Sequence, residues 1–523
     1  MGKHSLSAII VRGFAVSLIF IVITVPSVAD VSLTTGEWVN STLWRLEAKG
    51  LIKPIFASSR PFEREEIAQI VAITKERIKD GDLKPNDLEL ALINKLEAEF
   101  DRDLRPSGLE ARGLISGELD YADYRVADEW DLSSLSLWGA ASYHPSPMVT
   151  LYEEIDVRRG REIIKTASKR MNPWKWDYTA DFRRAYVSVN GERFVALLGR
   201  QSLFWGPGYD GSLTISGNSP AFDMMLLEAK FGPVKAITFS AVLDKMWSEH
   251  GNPPYRYLAN RYLSGHRIDW IVNDRIELGL SELVLYGGET RSMEWYYINP
   301  LLPYYASQWN SNQDDNVLVS ADFAVRSVDK MKLYGQFLVD DFSYSGDDPN
   351  ALGYIAGVYL SDPLGISKAD FRVEYTRVDS HTYTHRITEN QFVHYGWVMG
   401  HHLGPDSDQL LVELSRIESA DMRINLTYIF GRKRSGIIAD SSQIENNNPT
   451  SFPSGTLVRQ HRIGLRFLWE PLSRQQMDIS WTGIFTRSNH RTESDIELRA
   501  SVGFLAGTRW LESGNGNDQK GIY

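Results

Sequence analysis

The chain has 523 residues, with 56 basic and 67 acidic side chains for a net charge of −11, no cysteine, and 11% aromatic residues. That balance argues against nucleic acid, whose binding rests on neutralising phosphates with Lys and Arg, and the missing thiols exclude disulfides and thiolate metal sites. A mean hydropathy of −0.29 does not exclude the membrane, because only alternate residues of a barrel strand touch lipid.

Residues 1–29 carry Lys3 and Arg12, an apolar run from Phe14 to Val25, and small residues at Ser27-Val28-Ala29. This pattern predicts a signal peptide cut near Ala29. The run is short of the roughly 20 residues that a helical span needs, and no later segment supplies one. In residues 30–110, Val39, Leu43 and Leu46 share a helical face, as do Ile67, Ile70, Val71, Thr74 and Ile78, and then Leu88, Leu92, Leu96 and Phe100. Gly50, Pro54, Pro61, Gly81 and Pro85 punctuate them. The spacing predicts a small α-helical periplasmic module of three or four helices, either packed on the mouth of the next domain or loosely tethered.

Residues 111–504 show segments of about ten residues that alternate apolar and polar side chains, joined by spacers that are alternately very short and long. In the segment from Met422 to Phe430, for example, Met422, Ile424, Leu426, Tyr428 and Phe430 oppose Arg423, Asn425 and Thr427. This rhythm predicts an all-β, antiparallel transmembrane barrel of about 18 strands. Asn190-Gly191, Gly232-Pro233 and Asn273-Asp274 read as tight turns, while 158–177, 201–221, 245–257, 288–315, 342–352, 379–408 and 431–458 read as long loops. Placing His394 to His402 in a surface loop keeps the strand count even and the loops on consistent sides. Residues 505–523 are expected to form a flexible tail.

A resemblance is carried by Gly199-Arg200-Gln201, Trp205-Gly206-Pro207-Gly208-Tyr209, Gly211-Ser212-Leu213 and Asn218, followed by Asn299-Pro300, Asp315-Asn316 and Asp322. Nearer the N-terminus, the stretch from Leu43 to Ile52 and then Arg60-Pro61-Phe62 adds to it. These stretches resemble the capsule assembly protein Wzi family over most of the mature chain. The resemblance implies an eighteen-stranded outer-membrane barrel with a helical bundle at its periplasmic side. It also implies a non-catalytic lectin that holds capsular polysaccharide at the cell surface.

Several loops offer candidate ligand residues. Trp205 and Tyr209 present flat faces suited to a sugar ring, and Asp210 and Asn218 can bond hydroxyls. The competing reading folds that loop inward to close the pore, with Trp205 in its packed core. The loop at 158–177 holds Arg158, Arg159, Arg161, Lys165, Lys169, Arg170 and Lys175 against the single acid Glu162, and ends in Trp174 and Trp176. Arg pairing with uronate carboxylates and Trp stacking on sugars would suit an acidic polysaccharide; lipid phosphates and the interfacial aromatic girdle are the alternative partners. A third loop with Trp295, Tyr296, Tyr297, Tyr304, Tyr305 and Trp309 is either plug or sugar platform. Lys332, Asp340, Arg372, Glu374, Arg423, Arg462, Arg466, Asp478, Glu497 and Arg499 are expected to face the lumen. There they either tune an open pore or pair to hold a plug.

No G-x-S-x-G elbow, P-loop or H-E-x-x-H pair occurs. His401-His402 makes no metal site without further ligands, and Glu153-Glu154 and Asp340-Asp341 point to opposite faces of their strands. The expectation is therefore a monomeric, non-catalytic protein with no cofactor and no metal, with surface capsular or exopolysaccharide and outer-membrane lipid as partners. A porin-like diffusion channel is the rival reading.

Overall fold

The computed structural model describes residues 37–62, 64–104, 108–122, 131–159, 178–250, 255–311, 314–341, 350–434, 452–472, 475–488 and 492–510. The expected signal peptide lies outside them. The eighteen wall strands are β1 (Gly108–Ala122), β2 (Asp131–Ser146), β3 (Val149–Arg159), β4 (Tyr178–Asn190), β5 (Phe194–Gln201), β6 (Phe222–Phe231), β7 (Val234–Val242), β8 (Tyr255–Asn273), β9 (Ile276–Gly288), β10 (Asn316–Val328), β11 (Met331–Asp341), β12 (Ala351–Ser361), β13 (Ala369–Val378), β14 (Ser407–Ser419), β15 (Met422–Arg434), β16 (Leu457–Trp469), β17 (Gln475–Arg487) and β18 (Thr492–Trp510). Each pairs antiparallel with its neighbour, and β18 returns to β1 from Leu109↔Trp510 to Ala122↔Glu497, so the ring has no open edge. Closure is what lets backbone polar groups sit in hydrocarbon, since every one has a partner in the wall.

Strands β4 and β6 begin at Tyr178 and Phe222, directly after the loops expected over 158–177 and 201–221. Three features differ. The last strand continues to Trp510, so the residues 505–510 assigned to the tail belong to the wall. The short strand Met246–His250 pairs with β8 from Met246↔Ala259 to His250↔Tyr255, extending a hairpin beyond the ring inside an expected loop. The stretch 379–406 is a loop, as read, but it does not lie on the surface. Tyr383, Phe392 and Met399 are fully buried, and its only regular pairing is Val393–His394 with Trp397–Val398.

Apolar side chains on the outer face, including Leu198, Leu227, Ile268, Leu280, Phe323, Leu414, Leu465 and Phe485, are exposed and form the lipid-facing surface. The inner face is not uniformly polar. Phe222, Phe239, Leu263, Leu283, Leu318 and Leu338 point inward and are buried, forming a hydrophobic core with Trp205, Leu213 and Ile215. Strand β6 is therefore apolar on both faces, which blurs its period-two signal.

At the tight-turn mouth sit α1 (Glu37–Ala48), α2 (Arg64–Lys79) and α3 (Asp87–Phe100). Asn86 caps α3 through the Leu88 and Glu89 amides while Glu89 bonds back to the Asn86 amide, a reciprocal capping box. The expected apolar faces largely meet in one small core of Val39, Leu43, Leu46, Ile67, Val71, Ile93, Leu96 and Phe100, while Leu88 and Leu92 pack instead with Ile417 of the barrel. The module docks on the barrel through buried charges. Arg45 of α1 reaches Asp362 (2.7 Å) and Asp370 (2.5 Å) and also Glu89 of α3, and Lys332 of β11 pairs with Glu47 at 2.6 Å. Lys95 donates to the turn carbonyls of Ala420 (2.9 Å) and Glu470 (2.5 Å). Trp44 enters the lumen, edge-on to Tyr334 and Tyr359, with Lys332 and Arg372 over its ring.

Candidate ligand-binding site

The loop after β5 turns into the lumen. Gly206 makes this possible: its φ is +135°, and a Cβ there would lie 2.6 Å from Gln336 Oε1 and 2.7 Å from Ser212 Oγ. Trp205 has no exposed surface; its amide donates to the Ile215 carbonyl (2.8 Å) and its carbonyl accepts from Thr214 Oγ1 (2.7 Å) and Gln336 Nε2 (3.2 Å). The 379–406 loop packs on it: Tyr383 Oη donates to the Leu213 carbonyl (2.7 Å) and the Ser216 amide to the Met399 carbonyl (3.0 Å). From the opposite mouth, the segment after α1 rises to meet it. Ser59 and Arg60 pair with Trp205 and Phe204 as a short two-stranded ribbon, and the Gly206 amide donates to the Ser58 carbonyl at 2.7 Å. The Ala57 and Ser58 amides are held by Glu277 of β9. Chain from both mouths thus meets in the lumen and is stitched together there.

This arrangement settles several candidate residues. Trp205 cannot stack on a sugar, because both its faces are packed; the inward-folding reading of its loop is the observed one. Tyr297 is likewise buried, against Tyr286 and Tyr304, with its hydroxyl on Asp315 at 2.7 Å. Asn218 Nδ2 is bonded to the Val398 carbonyl (2.8 Å). Tyr209 lies under the Arg372 guanidinium (3.4 Å) and donates to Glu413 (2.9 Å). Asp210 accepts from Gln409 Nε2 (2.5 Å). Trp295, on the one-turn helix Trp295–Ile298, is 82% exposed and retains a free face. Arg158 and Arg159 occupy the last positions of β3, opposite Thr179 and Tyr178; Arg161, Trp174 and Trp176 lie outside the described residues. Among the lumen charges, Lys332, Arg372 and Arg466 are paired with Glu47, Glu413 and Asp478, and Glu374 accepts from the Tyr209 and Asp210 amides. Lys332 and Glu374 thus hold segments inserted in the lumen, whereas the Arg372 and Arg466 pairs join neighbouring wall strands.

Between the plug and the wall of β3 to β5 is an open cavity of about 400 Å³, lined by Arg60, Glu154, Arg183, Arg184, Phe204 and Ser219 among others. Its two adjacent arginines owe their placement to a β-bulge: Glu154 pairs with Arg184 and Ile155 with Phe182, so Arg183 is the extra residue. Arg184 is tied to Glu154 (2.6 Å) and Arg183 to Asp156 (2.6 Å). Arg60 is different. It lies over the Phe204 ring at 3.6 Å and donates to the Gly208 carbonyl at 3.2 Å, but its Nε has no hydrogen-bond partner. Burial, opposed by Glu374, pushes its pKa down to about 10, which leaves it cationic at neutral pH. That Nε is enclosed by protein, so what the cavity offers a carboxylate-bearing sugar is a guanidinium without an ion-pair partner among the described residues, beside an aromatic ring and further arginines. Arg60 stood in the sequence only as part of the family-like stretch, and Arg183 and Arg184 were not among the candidates, since neighbours on a regular strand face opposite ways. Only the bulge shows otherwise.

One group with metal-ligand chemistry also forms here: Asp210, His401 and His402 bring one ligand atom each within 4.8 Å of one another. Burial and the neighbouring His402 hold His401 well below the ordinary histidine range, so its ring is neutral.

Fold and site define a transmembrane β-barrel plugged by its own loops and helical module, with a polar cavity towards its long-loop mouth. The family model for the capsule assembly protein Wzi matches residues 111–488, and the chain belongs to that family. Among solved structures it is similar to Escherichia coli Wzi, described as an outer-membrane protein involved in group 1 capsule assembly and as a carbohydrate-binding β-barrel. The identity is 16%, over 92% of this chain and 99% of that one, with a TM-score of 0.59. Pseudomonas aeruginosa OccK3 (12% identity, 76% of this chain and 96% of that chain, TM-score 0.46) and Acinetobacter baumannii OccAB2 (10%, 77% and 98%, TM-score 0.46) are more distant. No curated protein matches the sequence.

Proposed function

We propose that this protein is a monomeric, non-catalytic outer-membrane lectin that holds an acidic capsular or exopolysaccharide at the cell surface. Its tight turns and helical module face the periplasm and its long loops face outward, the usual sense of such barrels, after removal of a signal peptide near Ala29. The observation that carries the reading is the open cavity lined by Arg60, Arg183 and Arg184, in which Arg60 has no acidic partner within ion-pair distance among the described residues. The sequence between β3 and β4 is itself basic, with Arg158 and Arg159 at the end of β3, and would add to that cationic character.

The test uses the full-length refolded barrel, titrated with the cell's own acidic polysaccharide and with the same polymer after its carboxyl groups are reduced to alcohols. Saturable, salt-sensitive binding that weakens at least tenfold on carboxyl reduction is expected. A parallel planar-bilayer recording should show no large steady conductance. Equal binding of both polymers would refute the carboxylate reading, and large steady conductance without saturable binding would make the protein a diffusion channel.

A further inference from the structure

We propose that Asp210, His401 and His402 form a zinc-type divalent metal site that joins the two loops plugging the lumen. Asp210 comes from the loop after β5 and the histidines from the loop before β14, so a shared ion would close a chain segment in each against the other. Two imidazole nitrogens and one carboxylate oxygen suit Zn²⁺, Co²⁺ or Ni²⁺ and not Ca²⁺ or Mg²⁺, which prefer all-oxygen shells.

The independent observation is His401 Nε2. The residue is fully buried, yet this nitrogen has no hydrogen-bond partner, and a buried polar atom left unmatched is destabilising. Space beside it is kept by a glycine: a Cβ on Gly211 would stand 2.8 Å from Nε2 and 2.7 Å from Cδ2. The Asp210 carboxylate is oriented by Gln409 Nε2 at 2.5 Å and sits 3.5 Å from His402 Nε2, as supporting contacts orient metal ligands elsewhere. Donor atoms around a tetrahedral ion lie about 3.4 Å apart, so the present spread within 4.8 Å needs a modest closing turn. His402, with 37% of its side chain exposed, is placed to supply it. His401 Nδ1 accepts only a long 3.4 Å contact from the Leu403 amide. This contact yields when the ring proton moves from Nε2 to Nδ1 on ligation.

The test is titration of tag-free, full-length refolded barrel with cobalt(II), followed by zinc displacement. One equivalent of cobalt with the visible absorption of a tetrahedral centre, bleached by zinc, is expected. His402→Ala and Asp210→Asn should each weaken binding at least about 100-fold while heat-modifiable migration on gels, the mark of a folded barrel, is retained; His461→Ala, on β16, should bind as the parent does. Absence of saturable binding at one equivalent, or binding that survives both substitutions, would overturn the proposal.

Discussion

Replacing Arg45 by Met tests how the helical module is held. Arg45 has no exposed surface and bonds Glu89, Asp362 and Asp370, so the substitution leaves three carboxylates around an apolar side chain. Removing one partner of a buried ion pair costs about 3–5 kcal/mol. Lys49 still reaches Glu89 at 2.6 Å and Asp362 at 2.5 Å, so Asp370 alone loses its cation and the lower figure, about 3 kcal/mol, applies. That corresponds to about a 150-fold shift from docked towards undocked module. Hydrogen exchange of the α1 and α3 amides in the refolded barrel measures it directly. A change below about 1 kcal/mol would refute the view that this cluster fastens the module. The same cluster sets a pH limit. Burial pushes Asp362 up, but hydrogen bonds from Lys49 and Arg45 outweigh it and hold the carboxyl below its ordinary 3.8. A carboxylate whose pKa is depressed on docking stabilises fully above its ordinary value and loses that contribution as pH falls through the depressed one. The share of docking that rests on Asp362 should therefore be constant above about pH 5 and be lost only below about pH 4.

Trp205→Ala removes the largest side chain from the plug core and should cost about 3–5 kcal/mol, read as a new steady conductance in planar bilayers with the strand signal in circular dichroism unchanged. Trp295→Ala, at an exposed position, should leave the denaturation midpoint within about 0.5 kcal/mol of the parent while weakening polysaccharide binding; unchanged binding would remove Trp295 from the ligand surface. Replacing Arg158, Arg159 and Arg161 together by Ala should reduce polysaccharide retention on cells without reducing surface delivery of the barrel; unchanged retention would exclude that loop.

The wall was legible because lipid imposes a two-residue rhythm on every strand, and turns such as Asn273-Asp274 mark where each hairpin reverses. Helix faces such as Val39, Leu43 and Leu46 were equally plain. The interior was not, because its packing joins residues far apart in the chain. Nothing local in the loop after β5 shows that Trp205 will meet Ser59 and Phe239, or that Tyr383 will bond the Leu213 carbonyl. His394 to His402 read as surface for the same reason: the apolar residues of that loop, Phe392, Val393 and Met399, match a core built by other loops. Of the candidate ligand residues, those in the Trp205 loop were mostly architecture, and the cavity arginines were hidden by a single inserted residue in β4. His401 and His402 lacked a third ligand until the fold brought Asp210 beside them.

The way the helical module is anchored carries a consequence for biogenesis. Its residues leave the ribosome before any wall strand, yet their attachment points are scattered from Glu277 through Lys332, Asp362 and Asp370 to the carbonyls of Ala420 and Glu470. The module therefore finds all its partners only once nearly the last hairpins are present. A wall lacking its later strands would lack the carbonyls of Ala420 and Glu470 as well as Asp362 and Asp370, so full attachment of the module requires a nearly complete ring.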